Sequence, residues 1–311
     1  MSPSVTVRAP RATRPAKLAF AAAVTLSISA CAGSGSTGNP VAESTSLQPA
    51  FTKLPSTEAS DDCGPATGLT KTPGRLTIAT DDPAYAPWFQ DNDPSNGKGF
   101  EGAVAKAVAE KLGYPSDLVD FTAVPFYDAL AAGPKTFDFD INQMTIVGDR
   151  RAAVDFSSPY YAVAQSVVAM AGTEAASART LADLSSFRLG AQRGSTSVAA
   201  IVETLRPGLK PVEFDTTDAA KNALANGEID ALVVDIPTGF QIVEDQVQGS
   251  VLVGQFPRPN EVTEFFGLVL EKNSKLTVCA SAAVDALYGD GTLERLAGQW
   301  IADTAGAHVL E

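Results

Sequence analysis

Between Gly74 and Trp300 short apolar runs alternate with longer segments whose apolar residues recur every three or four positions. That alternation restricts the chain to an α/β architecture. Leu76–Ala79, in "GRLTIATDD", reads as a buried strand. In "GFEGAVAKAVAEKLGY", Phe100, Val104, Val108 and Leu112 make one apolar stripe and predict a helix. "FDFDINQMTI" reads as a second strand running into a polar loop that ends at Arg150 and Arg151. "FRLGAQ", "DALVVD" and "FFGLVLEK" read as strands, and "TSVAAIVETL" as a helix. "TTDAAKNALANGEID" reads as a helix with Thr or Asp at its cap and Gly227 after it. Near the end, Leu276, Ala280, Ala283 and Leu287 share a helix face, and a last helix turns Leu293, Leu296 and Trp300 inward. The order predicts two α/β lobes with mostly parallel sheets. With 45% hydrophobic and 19% charged residues the chain can bury a sizeable core. No internal repeat of 20–50 residues is present.

In open sheets of this kind ligands sit beyond the carboxyl ends of the strands. The unusual polar residues fall there: Asp82 and Tyr85 after the first strand, Thr145 and Arg150 after another, Gly194 to Thr196 after a third, Asp235 after a fourth. The one histidine, His308, lies four residues from the end, which argues against a His-based triad or a zinc cluster. No catalytic residue, metal or cofactor is expected.

Residues 1–30 carry Arg8, Arg11, Arg14 and Lys17 and then the apolar run "LAFAAAVTLSISA", too short to span a membrane and suited to a secretory signal. "ISAC" resembles the lipobox of bacterial lipoproteins, which implies cleavage before Cys31 and lipidation of its thiol; ordinary signal cleavage is the alternative. Loss of residues 1–30 takes four cations and no acid, so Lys plus Arg falls from 23 to 19 against 36 acids, a net charge of −17. Such a charge repels phosphate backbones, and nucleic acid is not an expected partner. Residues 31–72 are rich in Ser, Thr, Gly and Pro and read as a flexible stalk. With Cys31 lipidated, Cys63 and Cys279 remain in an oxidising compartment; a disulfide is their simplest use, two separate buried thiols the alternative.

From about Arg75 to Ile301 the chain resembles the bacterial polar amino-acid binding proteins of ABC importers, the family-three extracellular solute-binding proteins. The matching stretches are "TDDPAYAPW", "GFEGAVAKAVAEKLG", "FDFDINQMTIVGDRRAAVDFSSPYY", "GAQRGSTS", "GEIDALVVD" and "DGTLERLAGQW". The resemblance implies a type II periplasmic-binding-protein fold: two α/β lobes joined by two hinge strands, near residues 162–166 and 263–268. Lobe one would comprise residues 73–163 plus 268–311, and lobe two residues 164–267.

A free amino acid carries an ammonium and a carboxylate on one carbon, and neither can be buried unpaired at acceptable cost. The resemblance assigns Arg150 to the ligand carboxylate, which its planar fork suits, and Asp235 to the ammonium. Arg151 would face solvent. Thr145 would touch the ligand through hydroxyl and backbone N–H, and Gln143 through its carbonyl. Many relatives carry Ser or Gly where this chain has Gln143. Gly194 and Thr196, with Ser195, match a helix start meeting the carboxylate from lobe two. Tyr85 would cover the ligand's aliphatic part, with Phe126 as the facing wall. Asp82 would read the ligand side chain, favouring an amide or cation, while Arg193, were it in the cleft, would argue the other way; Gln192 is a further reader. The implied function is a lipid-anchored monomer on the extracellular face of the cytoplasmic membrane, delivering a free polar amino acid to an ABC permease. A ligand sensor for a membrane signalling protein and a dehydratase-like enzyme on the same scaffold are the alternatives.

Overall fold

The computed structural model describes residues 63–205, 208–257, 264–301 and 307–310. The signal segment, Cys31 and the stalk up to residue 62 lie outside the described residues. In chain order the elements are β1 (Leu76–Thr80), α1 (Phe100–Lys111), β2 (Val119–Ala123), α2 (Phe126–Leu130), β3 (Phe139–Asp140), β4 (Val154–Val163) and β5 (Gln165–Met170). They continue as β6 (Leu189–Gln192), α3 (Thr196–Ala200), β7 (Val212–Phe214), α4 (Thr217–Ala225), β8 (Ala231–Asp235), α5 (Ile236–Gln241) and β9 (Ser250–Gln255). The last three are β10 (Glu264–Glu271), α6 (Leu276–Gly289) and α7 (Thr292–Trp300).

Two five-stranded sheets result, ordered β2-β1-β3-β10-β4 and β7-β6-β8-β5-β9. They are not mostly parallel. β1 pairs parallel with β2 and β3, and β6 with β7 and β8, but β10 runs antiparallel to β3 and β4, and β5 antiparallel to β8 and β9. The physical reason is the crossing: β4 leaves the first sheet and, after Ala164 alone, becomes β5 of the second, while β10 brings the chain back. Pro159 sits in β4 where its register with β10 shifts at Gly267, a place where a missing N–H is tolerated.

The stripe on α1 does what its spacing requires: Phe100, Val104, Val108 and Leu112 are all buried, as are Leu276, Ala280, Ala283 and Leu287 of α6. α1 starts directly after Gly99, whose φ is +85° and where a Cβ would stand 2.4 Å from the Trp88 carbonyl oxygen, so only glycine fits. Trp88, Phe100, Tyr161 and Phe266 meet with ring centroids 5.2–6.1 Å apart, mostly edge to face, at the inner end of the first lobe. The Trp88 indole N–H donates to Thr238 Oγ1 of the second lobe at 2.8 Å.

Cys63 and Cys279 are bonded, so the residue preceding the first lobe is stapled onto α6. Nearby, the Lys71 backbone N–H donates to Asp138 at 2.6 Å.

The chain end departs from the expected boundary of lobe one at residue 311. Val309 bridges Gln255 in parallel; the Gln255 N–H donates to the His308 carbonyl at 2.7 Å and the Leu310 N–H to the Gln255 carbonyl at 2.9 Å. Leu310 is fully buried in the second lobe's core, whereas Ala307 packs on the first. A Cβ at Gly254 would lie 2.7 Å from the His308 carbonyl oxygen, so the absence of a side chain there admits the tail. Leu310→Ala is expected to cost about 2–5 kcal/mol, the range for truncating a buried leucine; chemical denaturation reads it, and an unchanged midpoint would contradict this packing.

Candidate ligand-binding site

The polar loop after β3 is braced from below before it reaches the cleft. Thr145 makes an isolated bridge to Phe266, the Ile146 N–H donates to the Phe265 carbonyl at 2.8 Å, and the Gly267 N–H to the Met144 carbonyl at 3.0 Å. Gln143 sits at φ +51°, a left-handed conformation that explains why glycine serves at such a place. Its N–H donates to Glu101 Oε1 at 2.6 Å, and the same carboxylate accepts from the Tyr160 hydroxyl. The loop is thus pinned to α1 by one buried acid.

Burial raises the Glu101 carboxyl to about 7, against the opposing bonds from Tyr160 and Gln143. The folded value exceeds the unfolded one, so its stabilising contribution is complete below pH 4.5 and is lost as pH rises through about 7. Glu101→Gln, which keeps the accepting oxygen, is expected to remove about 3 kcal/mol of that pH dependence. Denaturant melts of both proteins between pH 4.5 and 8 measure it; parallel curves would contradict the assignment.

Arg150 begins the short turn Arg150–Ala152 that leads into β4. Its guanidinium donates to the Thr145 carbonyl and, across the cleft, to the Gly194 carbonyl, each at 2.8 Å, and lies 5.6 Å from the centroid of the Phe126 ring. Burial lowers its pKa to about 10 while Asp235 and Glu264 pull upward, so it stays charged at neutral pH. Asp235, at the end of β8, is pushed well above the usual carboxylate range by burial and then by Glu264; Gln165 and Arg150 oppose the shift. Gln165, first in β5, donates to Asp235 at 2.7 Å and to Glu264 and Thr196 at 3.3 Å, and accepts from Ser197 at 2.6 Å. The crossing point of the chain therefore also orients the acid.

Eight expected residues line one pocket: Tyr85, Phe126, Gln143, Thr145, Arg150, Gln192, Thr196 and Asp235. Its charged linings are Arg150 and Asp235, one from each lobe. Thr145 and Thr196 hydroxyls meet across it at 3.2 Å.

Two expected residues stand elsewhere. Asp82 is exposed and accepts from the Asn92 amide at 3.3 Å. Its neighbour Asp81 is half-buried instead and accepts from the Asp82 N–H at 2.9 Å; burial raises its pKa. Gly194 does not line the pocket; it offers its carbonyl to Arg150 and borders an adjoining opening. Arg193 faces away, paired with Asp215 at 2.9 Å, and Arg151 is exposed.

Asn142, of the same polar loop, also lines the pocket; Ser197, Thr217 and Thr238 line it too and were not expected. Thr217 had a signal: in "TTD" one threonine caps the helix and the next is free. Among the described residues no group of three or more His, Cys, Asp or Glu is placed to hold a metal ion, and no helix is long and apolar enough to cross a membrane.

Residues 76–303 match the bacterial extracellular solute-binding proteins, family 3. The chain belongs to that family. It is 26% identical over 205 residues to ABC transporter arginine-binding protein 1 of Escherichia coli K12, covering 65% of this chain and 81% of that protein. It is 28% identical over 223 residues to the L-cystine-binding protein TcyJ of the same strain, covering 70% and 79%. Among solved structures, an ancestral arginine-binding protein bound to glutamine is 31% identical, with a TM-score of 0.62 over 74% of this chain and 98% of that one. The ancestral amino acid-binding protein AncCDT-1, a precursor of cyclohexadienyl dehydratase, is 26% identical with a TM-score of 0.59 over 73% and 95%. The family and these neighbours agree with two lobes in a type II periplasmic-binding-protein fold.

Proposed function

We propose that this chain is the substrate-binding lipoprotein of an ABC importer, capturing a polar amino acid between its lobes and delivering it to the permease. The observation that carries this reading is one cation and one acid, Arg150 and Asp235, facing the same pocket from opposite lobes. Arg150 takes the ligand carboxylate and Asp235 its ammonium. Asp235, raised by burial, ionises once an ammonium stands beside it. Closure is favoured because both ligand charges are paired only when the lobes meet.

An enzyme on this scaffold needs an acid or base free to act at the reacting carbon. Asp235 is instead held by Gln165 against Arg150, which suits charge pairing.

A thermal-shift screen against the twenty amino acids tests the reading: one or a few polar ones raise the melting temperature, and a flat screen contradicts it. In this reading Cys31 carries the anchor at the start of the stalk, residues 31–72, whose far end the Cys63–Cys279 bond holds on the first lobe. Cys31→Ser is expected to move the chain from the membrane fraction to the medium; membrane retention after processing would refute lipid attachment.

A further inference from the structure

The loop carrying Tyr85, Ala86 and Trp88 belongs to lobe one, and all three of these residues reach lobe two. The Tyr85 hydroxyl donates to Thr217 Oγ1 at 3.2 Å, the Gln246 side-chain amide donates to the Ala86 carbonyl at 3.3 Å, and the Trp88 indole N–H donates to Thr238 Oγ1 at 2.8 Å. The last bond is shut off from water: Trp88 is fully buried and Thr238 is 2% exposed. We propose that Thr238 is a positioning residue of the binding site. By accepting the Trp88 proton it docks the lobes in the ligand-holding arrangement, and so sets how tightly every accepted amino acid is held without choosing among them. The proposal rests on the amino-acid reading of the cleft and adds a residue that acts through lobe closure.

Both ends of the bond are fixed in their own lobe. In lobe one the Trp88 carbonyl accepts from the Gly102 N–H of α1 at 3.1 Å, and the indole packs against Phe100, Tyr161 and Phe266 with centroids 5.7–6.1 Å apart. In lobe two α5 is pressed onto the hinge strand β5: a Cβ at Gly239 would stand 2.4 Å from Ser166 Oγ, and that hydroxyl donates to the Val234 carbonyl at 3.0 Å. Neither partner can follow the other when the lobes part, so opening breaks the bond.

α5 begins directly after Asp235, and its Ile236 and Phe240 pack into the first lobe's apolar cluster. Docking at Thr238 therefore brings Asp235 up to the lobe that carries Arg150. A buried indole N–H without an acceptor is costly, whereas in the open arrangement water serves it. Loss of the Thr238 hydroxyl thus penalises the closed state and spares the open one, and binding must make up the difference. Thr238 also borders the pocket, so a direct contact with the amino acid is the alternative to be separated.

Calorimetric titration of the full chain with each of the twenty amino acids, with stopped-flow dissociation rates, tests this. Thr238→Val keeps the shape and removes the acceptor. Each amino acid that wild type binds should then bind about tenfold more weakly, the scale of one buried hydrogen bond, through faster dissociation. Thr238→Ser should keep wild-type affinity. Trp88, which does not line the pocket, supplies the second arm: Trp88→Phe should cost a similar factor, and the double variant no more than either single one. Thr238→Ala reports the same loss should the valine variant fail to fold. Unchanged affinity in Thr238→Val and Thr238→Ala overturns the proposal. So do losses that multiply in the double variant, which would place Thr238 on the amino acid itself. A wild type that binds none of the twenty, or an Arg150→Ala variant that binds as wild type does, overturns instead the reading of the cleft.

Discussion

Arg150→Ala should weaken amino-acid binding by about 2–5 kcal/mol, roughly 30- to 5,000-fold, the range for truncating one partner of a buried charged contact. The guanidinium is fixed on three sides before any ligand arrives: the Thr145 carbonyl, the Gly194 carbonyl and the face of Phe126. A carboxylate entering the pocket therefore meets an oriented fork, and little rotamer freedom remains to be lost. Removal also leaves Asp235 and Glu264 without their nearby cation, which favours the protonated acid and weakens the hold on the ammonium. Arg150→Lys should fall between the two, since it keeps the charge and loses the planar two-pronged geometry. Calorimetry with the best ligand from the thermal screen measures all three proteins, and equal affinities would refute the role.

The second large effect concerns stability. Replacing Cys63 and Cys279 by serine should lower the melting temperature on the order of 10 °C, from a loss of about 3–5 kcal/mol. The bond closes a loop with a sequence separation of 216 residues, for which the chain-entropy estimate is about 5 kcal/mol. The lower figure allows for structure persisting in the unfolded chain. Both sulfurs lie within the first lobe's core, so the bond does not span the lobes and ligand affinity should stay nearly constant. Scanning calorimetry with and without ligand checks both halves; a melting point within a degree or two of wild type would contradict the staple.

Where an element's own side chains decide its conformation, the sequence was readable. The stripe of α1, the packed face of α6 and the apolar core of β8 each follow from periodicity, because burial on one face or on both is written in the spacing. Periodicity did not show β4 and β5, whose crossing near residues 162–166 was expected only from the resemblance: Pro159 and paired serines break the strand pattern, and what holds them extended is pairing with β10, β8 and β9, distant in sequence. The edge strands β2 and β7 carry few buried residues and leave no alternating signal.

The cleft divides in the same way. Arg150 and Asp235 could be placed at strand ends from the sequence, while the roles proposed for them came with the resemblance. Asp81 and Asp82 could not be told apart, because adjacent residues leaving a strand point to opposite sides and one step of register exchanges them. Thr217 comes to the pocket through contacts distant in sequence, with Gln192 of its own lobe and Tyr85 of the other, which no local pattern shows. The tail that returns to β9 was assigned to the wrong lobe because four residues carry no periodicity to read.

A crystal structure with the amino acid that most raises the melting temperature tests the central claim most directly. The ligand carboxylate is expected within hydrogen-bond distance of the Arg150 guanidinium and the ammonium within the same distance of the Asp235 carboxylate. A ligand bound at any other place, or one turned so that its ammonium faces Arg150, would contradict the account.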